Sequence, residues 1–533
     1  MSVQLKHILA ALQGPRLHGE DSVIVSGVTH DSRRVKPGWL FVALPGAATD
    51  GHNFVADALK AGAAAVVAEQ QPSSLPETLS WIKVPDARKA LGTIAAVAYG
   101  YPTRDLALVG ITGTNGKTTL TFLLEAIVRA AGGCPGVVGT ISYRWPGKEQ
   151  SALHTTPEAS DLQALFRDMV DAGVTHAVIE ASSHGLQLGR LEGCDFDLGV
   201  FTNLSQDHLD FHGTMEAYYQ SKRILFRDLL VRSAKKRTAA VINQDDPHGA
   251  RLIQEIEKVP VLSYGLAPGC DVTAGEISLG ATGLTARVET PSGAFSFSSR
   301  LTGSFNLSNI LAAVAVSEAL GIPHGAVQQG VEAVSVVPGR MERVPSDRGT
   351  ILVDYAHTPQ ALANALAALQ GLSKGRILTV MGCGGDRDKS KRPVMGKEAA
   401  AASDVVVVTS DNPRTEDPLT IIEQVVEGVR GHGFELVTNS GGDQPVKTGS
   451  FLVIPDRRKA IAWAVGNIKN GDILLIAGKG HETYQEINGV RYPFDDREVV
   501  REELARKASV SPRTDSGKKP AGRSTYTGDR DRT

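Results

Sequence analysis

The fold is decided by the stretch Leu106-Ala107-Leu108-Val109-Gly110-Ile111-Thr112-Gly113-Thr114-Asn115-Gly116-Lys117-Thr118-Thr119. It begins with an apolar run typical of a buried β-strand, continues through a glycine-rich loop, and enters an amphipathic segment, 117–131, that predicts a helix. Such a loop lets backbone N–H groups surround phosphate oxygens at the positive end of the helix, while Lys117 adds charge and Thr118 can ligate Mg²⁺. The stretch therefore predicts a phosphate-binding P-loop, 113–119, that suits ATP.

The spacing of this loop departs from the usual pattern G-x-x-x-x-G-K-[ST]. The first glycine of the pattern would fall at Ile111, and Gly110 and Gly113 flank that position instead. A glycine-rich turn with an incidental lysine is the alternative. We favour the P-loop, because the strand before the loop and the helix after it are what phosphate binding needs.

Further strand-like runs follow the P-loop and alternate with helical patterns. In the middle of the chain they predict a mostly parallel sheet covered by helices. Beyond residue 338 they predict an open, doubly wound (Rossmann-like) domain. The predicted fold class is therefore α/β, with a central P-loop ATPase domain and a doubly wound C-terminal domain. The strand-like runs are 177–179, 198–201, 351–353, 376–381, 404–409 and 473–477.

Chain length and two breakers predict the domain boundaries. At 533 residues, the chain should hold three domains on a rule of roughly 150 residues each. Natural breakers lie at Tyr101-Pro102-Thr103 and at Val337-Pro338-Gly339-Arg340. The predicted domains are 1–102, 103–337 and 338–505.

The remaining segment, 506–533, is predicted to be a disordered tail. Residues 511–533 contain one aromatic, Tyr526, and no Ile, Leu, Val or Phe. The excess of basic over acidic residues could bind something anionic, but a solvated tail is the favoured interpretation.

The composition excludes several classes of protein. Hydrophobic residues make up 42%, charged residues 21%, and the formal charge is −2, so no basic field would recruit nucleic acid. The four cysteines are far apart and form no C-x-x-C pair, which indicates neither disulfides nor a thiolate zinc site. No leader pattern opens the chain, and no apolar run approaches the roughly 20 residues that span a bilayer. We expect a cytoplasmic protein without membrane insertion.

Polar side chains follow two predicted strands of the central domain, where α/β proteins place site residues. Glu180, after strand 177–179, could ligate Mg²⁺ or could cap the next helix, and both interpretations stay open. The run 203–212 concentrates metal-competent side chains, including His208 and His212 four positions apart. They form no H-E-x-x-H motif, so a structural role is favoured over a zinc site for this isolated pair.

Two further segments are predicted to have structural roles. Lys222 lies in a helical pattern, 217–226, and is expected to cover neighbouring surface with its apolar stem. The stretch 371–375 matches G-x-S-x-G, the serine-hydrolase elbow, which requires a strand before the serine and a helix after it. Here the helical pattern 359–369 comes first and a strand-like run follows, so we predict a helix-to-strand turn.

A second glycine-rich loop, 382–388, follows the strand-like run 376–381. Arg387 stands where a dinucleotide fingerprint would place its third glycine, which argues against a Rossmann NAD site. A backbone nest with an adjacent arginine suits a carboxylate or phosphate, and Arg414 offers a second guanidinium after the run 404–409. The two arginines could hold a dianionic amino acid.

Ten motifs in this order resemble those of the Mur ligases of peptidoglycan synthesis, over about residues 20 to 500. The sequence G-T-N-G-K-T is also the usual P-loop of that family, so the departure at Ile111 supports the resemblance. The motifs are Asp31-Ser32-Arg33, the P-loop, His154-Thr155-Thr156-Pro157, 180–184, 203–210, Gly303-Ser304-Phe305-Asn306, Pro338-Gly339-Arg340, 354–359, Asp411-Asn412-Pro413-Arg414 and Gly478-Lys479-Gly480-His481-Glu482.

The resemblance implies an ATP- and Mg²⁺-dependent ligase with three domains. The first would bind the UDP part of the substrate, the second ATP, and the third the incoming amino acid. In such enzymes ATP phosphorylates a carboxylate, an amine attacks the acyl phosphate, and an amide forms. The form of 411–414 is associated with meso-2,6-diaminopimelate, which would be added to UDP-N-acetylmuramoyl-L-alanyl-D-glutamate. A monomer that binds no nucleic acid is expected.

The resemblance also implies residue roles around the nucleotide. ATP binding is implied for Gly113, Thr114, Asn115, Gly116, Lys117, Thr118, Thr119, Asn306, Arg340, Asp354 and His357. Catalytic roles are implied for Lys117, Glu180, His208 and Lys222. Metal binding is implied for Thr118, Glu180, His208 and Lys222, the last as an N-carboxylated (carbamate) lysine whose oxygens suit Mg²⁺.

Substrate-binding roles follow from the same resemblance. The UDP-linked dipeptide would contact Ser32, Thr155, Thr156, Ser182 and Arg190. Diaminopimelate would contact Arg387, Asp411, Asn412, Pro413, Arg414, Gly478 and Glu482. The alternatives are a related ligase, lysine-adding or similar to folylpolyglutamate synthetase, and more remotely a non-enzymatic P-loop protein that regulates by binding nucleotide.

Overall fold

The strand that leads into the P-loop, Ala107–Thr112, lies inside the main sheet of the central domain. It pairs in parallel with His176–Glu180 on one side and Leu198–Phe201 on the other. Helices cover both faces of this sheet, which is why the strand is continuously apolar. The computed structural model describes residues 2–46, 49–72, 75–76, 79–280, 282–437 and 446–510.

Within those residues the main central sheet has eight strands, and only the first two pairings are antiparallel. The carboxyl ends of its parallel strands meet at one edge, where the P-loop lies. In sheet order the strands are Lys148–Ser151, Ser142–Trp145, Pro135–Val138, His176–Glu180, Ala107–Thr112, Leu198–Phe201, Ala239–Asn243 and Val261–Tyr264.

The two faces of this sheet carry separate hydrophobic cores. On one face pack the helix after the P-loop, Lys117–Ala130, the helices Ser304–Leu320 and His324–Ala333, and an antiparallel three-stranded meander. On the other face pack Ala159–Asp171, Met215–Ile224, the π-helical turn Leu225–Leu229 and Pro247–Glu255. The short helices are Ser183–Gln187, Leu209–His212 and Leu230–Arg232, and the meander strands are Thr273–Gly280, Gly283–Thr290 and Gly293–Ser299.

The C-terminal domain is doubly wound, with cores on both faces of its sheet. Helix Pro359–Gln370 ends before strand Ile377–Met381 begins, so the helix-to-strand turn predicted at 371–375 is confirmed. In sheet order the strands described are Glu342–Val344, Thr350–Asp354, Ile473–Ala477, Ile377–Met381, Val405–Val408, Ser450–Val453 and Glu435–Leu436, with the first antiparallel to the second and the others parallel. The other elements are the hairpin Tyr484–Ile487 and Val490–Pro493, and the helices Lys391–Ala402, Pro418–Gly431, Arg457–Asn467 and Asp496–Val510.

The N-terminal domain is a mostly parallel sheet with helices on it. Its described strands, in sheet order, are Arg16–His18, Ser80–Lys83, Ala65–Ala68, Trp39–Val42 and Gly27–Thr29, with the first pair antiparallel. Val3–Gln4 pairs with Ile24–Val25. The helices are Leu5–Ala11, Val55–Lys60 and Ala87–Ala98, and the 3₁₀ turns are Ser32–Arg34, Gly51–Phe54 and Pro102–Asp105.

The predicted fold class is confirmed by this three-domain α/β architecture. The segment predicted as a tail starts inside helix Asp496–Val510, which extends five residues into it, and 511–533 lie outside the described residues. In the part of the chain that the structure describes, no helix is both long and apolar enough to cross a membrane.

A fully buried ion pair, Arg457 with Asp496, joins the last two helices at 2.7 Å. We expect Arg457→Met to destabilise the C-terminal domain by about 3–5 kcal/mol, because it leaves the carboxylate buried without its partner. Arg458→Met is the matched control, since the Arg458–Glu502 pair is half exposed and should contribute little. Thermal unfolding measures both variants, and equal losses would contradict the prediction.

Candidate active site

Two glycines allow the P-loop to take its shape. Gly113 has φ 144° and Gly116 φ 88°, values that other residues rarely adopt. A Cβ on Gly113 would lie 1.9 Å from Thr202 Oγ1, and one on Gly116 would lie 2.4 Å from Asn309 Oδ1. The loop is therefore packed tightly against its surroundings, with its backbone close to the space where a ligand would bind.

The P-loop lysine is held against its own loop. Lys117 Nζ donates to the carbonyls of Gly113 at 2.8 Å and Thr114 at 2.9 Å. Burial lowers the pKa of Lys117, although the carboxylates of Glu180 and Asp207 act in the opposite direction. An anion that entered the loop would give this ammonium a stronger partner than a carbonyl.

Glu180 is the last residue of its strand and points into the P-loop. It accepts hydrogen bonds from Thr118 Oγ1 at 3.0 Å, Thr140 N at 3.0 Å and Thr140 Oγ1 at 2.9 Å. Ser182, and not Glu180, caps the following helix by accepting from Gly185 N, so the capping interpretation is wrong. None of these three donors is charged, so none of them neutralises the carboxylate. The carboxylate and the Thr118 hydroxyl therefore offer the oxygen ligands that suit a Mg²⁺ ion.

Lys222 is buried, with 1% of its surface exposed, so the prediction that its stem covers neighbouring surface is wrong. Its Nζ donates to Gly113 O at 2.8 Å and lies 4.4 Å from the centre of the Tyr218 ring. Burial, and after it the charge of Lys117, lower the pKa of Lys222 well below its ordinary value. The helical pattern identified the helix but not which face is buried.

Asp207 connects the central domain to the C-terminal domain and was not among the predicted site residues. Its carboxylate lies 3.2 Å from Lys391 Nζ, 3.3 Å from His208 Nε2 and 3.6 Å from His357 Nε2. Although burial opposes it, His357 and the Lys391 ammonium hold the pKa of Asp207 well below its usual range. The only signal in the sequence was its place in the polar run 203–212.

His208 lies beside this carboxylate in a cluster of rings. It has φ 54° and packs edge-on against His184 and Tyr218. Burial lowers its pKa to about 3, which keeps the imidazole neutral and able to bind a metal. His212 instead stacks on Tyr218 and is 3.0 Å from Ser183 Oγ, in agreement with a structural role.

A cleft of about 580 Å³ separates the central and C-terminal domains, and we call it the interdomain cleft. Arg340 Nη2 crosses it and donates to Thr118 Oγ1 at 3.2 Å. Asp354 Oδ2 accepts from Met341 N at 2.6 Å, and burial raises the pKa of Asp354. The predicted nucleotide residues that line the cleft are Thr114, Asn115, Gly116, Lys117, Thr118, Thr119, Arg340, Asp354 and His357.

Asn306 lies beside this cleft and contacts Asn309, a residue that lines it. Its side chain donates to Thr302 O at 2.8 Å and accepts from Asn309 Nδ2 at 3.1 Å. Asn309, which was not predicted, lines the interdomain cleft next to Gly116.

Four of the five residues predicted for the UDP-linked substrate lie together behind Glu180. Thr156 Oγ1 donates to Glu180 O at 2.7 Å and lies 2.9 Å from Ser182 Oγ. Arg190 Nη1 donates to Thr156 O at 3.0 Å, and Thr155 lies 3.1 Å from Thr140 through their hydroxyls. The fifth, Ser32, lies in the N-terminal domain, in a turn whose Arg34 pairs with Asp161 at 2.7 Å.

Both predicted arginines lie close to Gly384. A Cβ on Gly384 would lie 2.9 Å from Arg414 Nη1 and 4.0 Å from Arg387 Cγ. Nearby, Asn412 Nδ2 donates to Glu482 Oε2 at 2.8 Å. A Cβ on Gly478 would lie 2.5 Å from Asp411 Oδ2, and Pro413 O packs against Gly385. We call the set Arg387, Asn412, Arg414, Gly478 and Glu482 the arginine pocket.

The loop that carries Arg387 touches the loop that carries His208. Gln206 Nε2 donates to Asp388 Oδ2 at 3.2 Å and to Ser390 Oγ at 3.0 Å. These contacts join the arginine pocket, through the polar run 203–212, to the P-loop in one candidate site. Such a site can hold a polyphosphate, a metal ion and an anionic amine-bearing molecule close together.

Three domain families match the sequence: the Mur ligase family catalytic domain over 24–99, the Mur ligase middle domain over 111–317, and the Mur ligase glutamate ligase domain over 339–480. The chain therefore belongs to the Mur ligase family, and the resemblance found in the sequence is confirmed.

Individual relatives are more specific. The UDP-N-acetylmuramoyl-L-alanyl-D-glutamate–2,6-diaminopimelate ligase of Geobacter metallireducens is 48% identical over 504 residues, which cover 93% of this chain and 98% of the relative. A solved structure of a ligase with the same name is 34% identical, with a TM-score of 0.66 over 95% of this chain and 100% of that one. The MurF ligase of Thermotoga maritima, solved in complex with ADP, shares the fold at 21% identity, with a TM-score of 0.61 over 91% and 99% of the two chains.

Gly116→Ala tests the shape of the P-loop. Both this substitution and Gly132→Ala place a side chain at positive φ, but only Gly116 is also crowded, since nothing lies within 4 Å of a Cβ on Gly132. We expect Gly116→Ala to weaken ATP binding more than about tenfold, or about 1.4 kcal/mol, while Gly132→Ala keeps it near wild type. Titration of each variant with ATP measures this, and equal affinities would contradict the tight packing of the loop.

Proposed function

We propose that this protein adds meso-2,6-diaminopimelate to UDP-N-acetylmuramoyl-L-alanyl-D-glutamate, using ATP and Mg²⁺, in the cytoplasm. The names of its relatives support the reaction. The observation that carries the proposal is that the loop with Arg387 contacts the polar run 203–212 beside the P-loop, where Gln206 donates to Asp388.

The chemistry assigned to the site is acyl phosphate formation followed by aminolysis. The γ-phosphoryl group passes from ATP to the glutamate carboxylate, and ADP is released. The amine of diaminopimelate then attacks the acyl carbon, inorganic phosphate leaves, and the nitrogen loses a proton as the amide forms. Lys117 and Arg340 stabilise the charge that develops on the phosphoryl oxygens. Bound by Thr118, Glu180 and His208, Mg²⁺ would neutralise phosphate charge.

The N-terminal domain, 1–102, holds the UDP part in this proposal, the central domain, 103–337, holds ATP, and the C-terminal domain, 338–505, holds the amino acid. Ser32, Thr155, Thr156, Ser182 and Arg190 contact the UDP-linked dipeptide. Asp354 acts on the nucleotide from the lining of the cleft, and Asn306 acts on it from beside the cleft.

The arginine pocket favours diaminopimelate over lysine. The far end of meso-diaminopimelate carries a carboxylate and an amine, whereas lysine carries only an amine. Two guanidinium groups beside Gly384 suit the extra carboxylate, and Glu482 suits the ammonium. Lysine has no second carboxylate to pair with a second guanidinium.

Phosphate release across a panel of amino acids tests this proposal. We expect release only when ATP, the UDP-linked dipeptide and meso-diaminopimelate are all present, because a ligase couples hydrolysis to bond formation. Turnover with lysine but not with meso-diaminopimelate would overturn the substrate assignment. Release without any amino acid would favour a nucleotide-hydrolysing regulator instead.

Lys222 is proposed to act as a carbamate, which gives a buried side chain beside the P-loop two anionic oxygens for Mg²⁺. We expect Lys222→Ala to lower turnover at least about a hundredfold, with partial recovery when a short-chain carboxylate is added. Steady-state turnover with and without acetate measures both effects.

The control for this prediction is Arg223→Ala on the same helix, which removes a pair with Glu255 on the far side and should leave turnover near wild type. A Lys222→Ala enzyme with normal activity would remove the carbamate role.

A further inference from the structure

Lys479 lies directly beneath the arginine pocket and is not used in the chemistry above. Its side chain is fully buried, and its Nζ donates to Asn412 Oδ1 at 3.0 Å and to Glu482 Oε2 at 2.9 Å. Asp411 Oδ1 lies 3.8 Å away. One buried ammonium therefore contacts two residues of the pocket and the residue next to one of them.

These contacts fix the orientation of the Asn412 amide. An ammonium group has only donors, so the oxygen Oδ1 must face Lys479. The same oxygen accepts from Glu486 N at 2.9 Å, and Nδ2 then donates to Glu482 Oε2. Among the described residues, nothing donates to Glu482 Oε1, which leaves this oxygen for the ammonium of a ligand.

Lys479 also sets the charge beneath the pocket. The charged groups beneath the pocket are the buried cations Lys479 and Arg457, the buried carboxylates Asp411 and Asp496, and the partly exposed carboxylate of Glu482. Arg457 is paired with Asp496 at 2.7 Å. Although burial alone would lower it, Asp496, with smaller effects from Asp411 and Glu482, raises the pKa of Arg457. Two cations against three carboxylates leave one negative charge, which matches one ligand ammonium.

The rim of the pocket has the opposite sign. Arg387 and Arg414 lie beside Gly384, and Arg414 Nη1 donates to Gly385 O at 2.6 Å. A ligand end with an ammonium and a carboxylate would meet a negative base and a positive rim. A ligand end with an ammonium alone would interact only with the negative floor of the pocket and not with the arginines of the rim.

We propose that Lys479 is a positioning residue that sets the specificity of the arginine pocket for the zwitterionic far end of the amino acid, a conclusion that rests on the proposed function. It acts through Asn412 and Glu482 and does not touch the substrate. Without Lys479 a second carboxylate is left uncompensated, and the oxygen of the Asn412 amide loses one of its two donors, keeping only Glu486 N. The substrate carboxylate is then repelled, while a lone ammonium is not.

Lys479→Met tests this role, because methionine fills the space of the stem and carries no charge. We expect the KM for meso-diaminopimelate to rise about tenfold to a hundredfold, with kcat changed little and the KM values for ATP and the UDP-linked dipeptide unchanged. The preference for meso-diaminopimelate over lysine, measured as the ratio of kcat/KM, should fall. Phosphate release measures all of these quantities.

Two further variants make the experiment decisive. Lys479→Gln keeps one donor for Asn412 or Glu482 without the charge, and should lie between wild type and Lys479→Met; it replaces Lys479→Met if that variant does not fold. Lys235→Met removes a partly buried lysine, paired with Asp197 at 3.1 Å far from the pocket, and should leave the KM for diaminopimelate unchanged.

A merely structural role for Lys479 would give a different pattern. An unchanged KM for diaminopimelate, a parallel rise in the KM values of all three substrates, or an equal loss with lysine would each overturn the proposal. If the wild-type enzyme released no phosphate with meso-diaminopimelate, the proposed function would fail first and this inference with it.

Discussion

The carbonyl oxygen of Gly113 accepts hydrogen bonds from two lysines, Lys117 and Lys222, each at 2.8 Å. Two ammonium groups on one oxygen repel each other, and the charge of Lys117 helps to lower the pKa of the buried Lys222. Anionic groups relieve this repulsion, and the ligands proposed for the site are anionic. This carbonyl joins the P-loop to the buried helix that carries Lys222. Glu180 contacts the same loop through Thr118.

The other half of the site depends on contacts between domains. Arg340 reaches Thr118, and Lys391 reaches Asp207, so residues more than 180 positions apart complete each other's hydrogen bonding. A buried carboxylate between two domains is costly unless cations face it. Asp207 therefore favours the arrangement in which Lys391 and His357 lie close to it, which is also the arrangement that brings the arginine pocket towards the P-loop.

Much of the fold could be predicted, because it is recorded in local patterns. The strand before the P-loop, the helix after it and the turn at 371–375 follow from apolar periodicity and glycine placement. The meander at 273–299 was not predicted. One of its strands alternates buried Leu284, Ala286 and Val288 with exposed residues, but the turn signals around the strands are weak.

The site residues were harder to predict from the sequence than the fold, because the burial of a side chain and its distant partners depend on tertiary structure. Lys222 has the sequence context of a surface lysine, yet Gly113, over a hundred residues away, is its partner. Asp207 could be seen only as one polar residue in a run, and Lys391 and Asn309 gave no signal. What the sequence did contain was the order of the motifs, which led to the family and through it to most of the candidate residues.

The order of strands in the C-terminal sheet has a consequence for how the protein is made. Strand Ile473–Ala477 lies between Thr350–Asp354 and Ile377–Met381, which come about a hundred residues earlier. While the ribosome is still adding the intervening chain, that sheet has a vacant central position and two exposed inner edges. The last central strand to be synthesised also brings Gly478, Lys479 and Glu482 with it. A nascent chain can thus form its P-loop well before strand Ile473–Ala477 and the residues proposed for the arginine pocket have been synthesised.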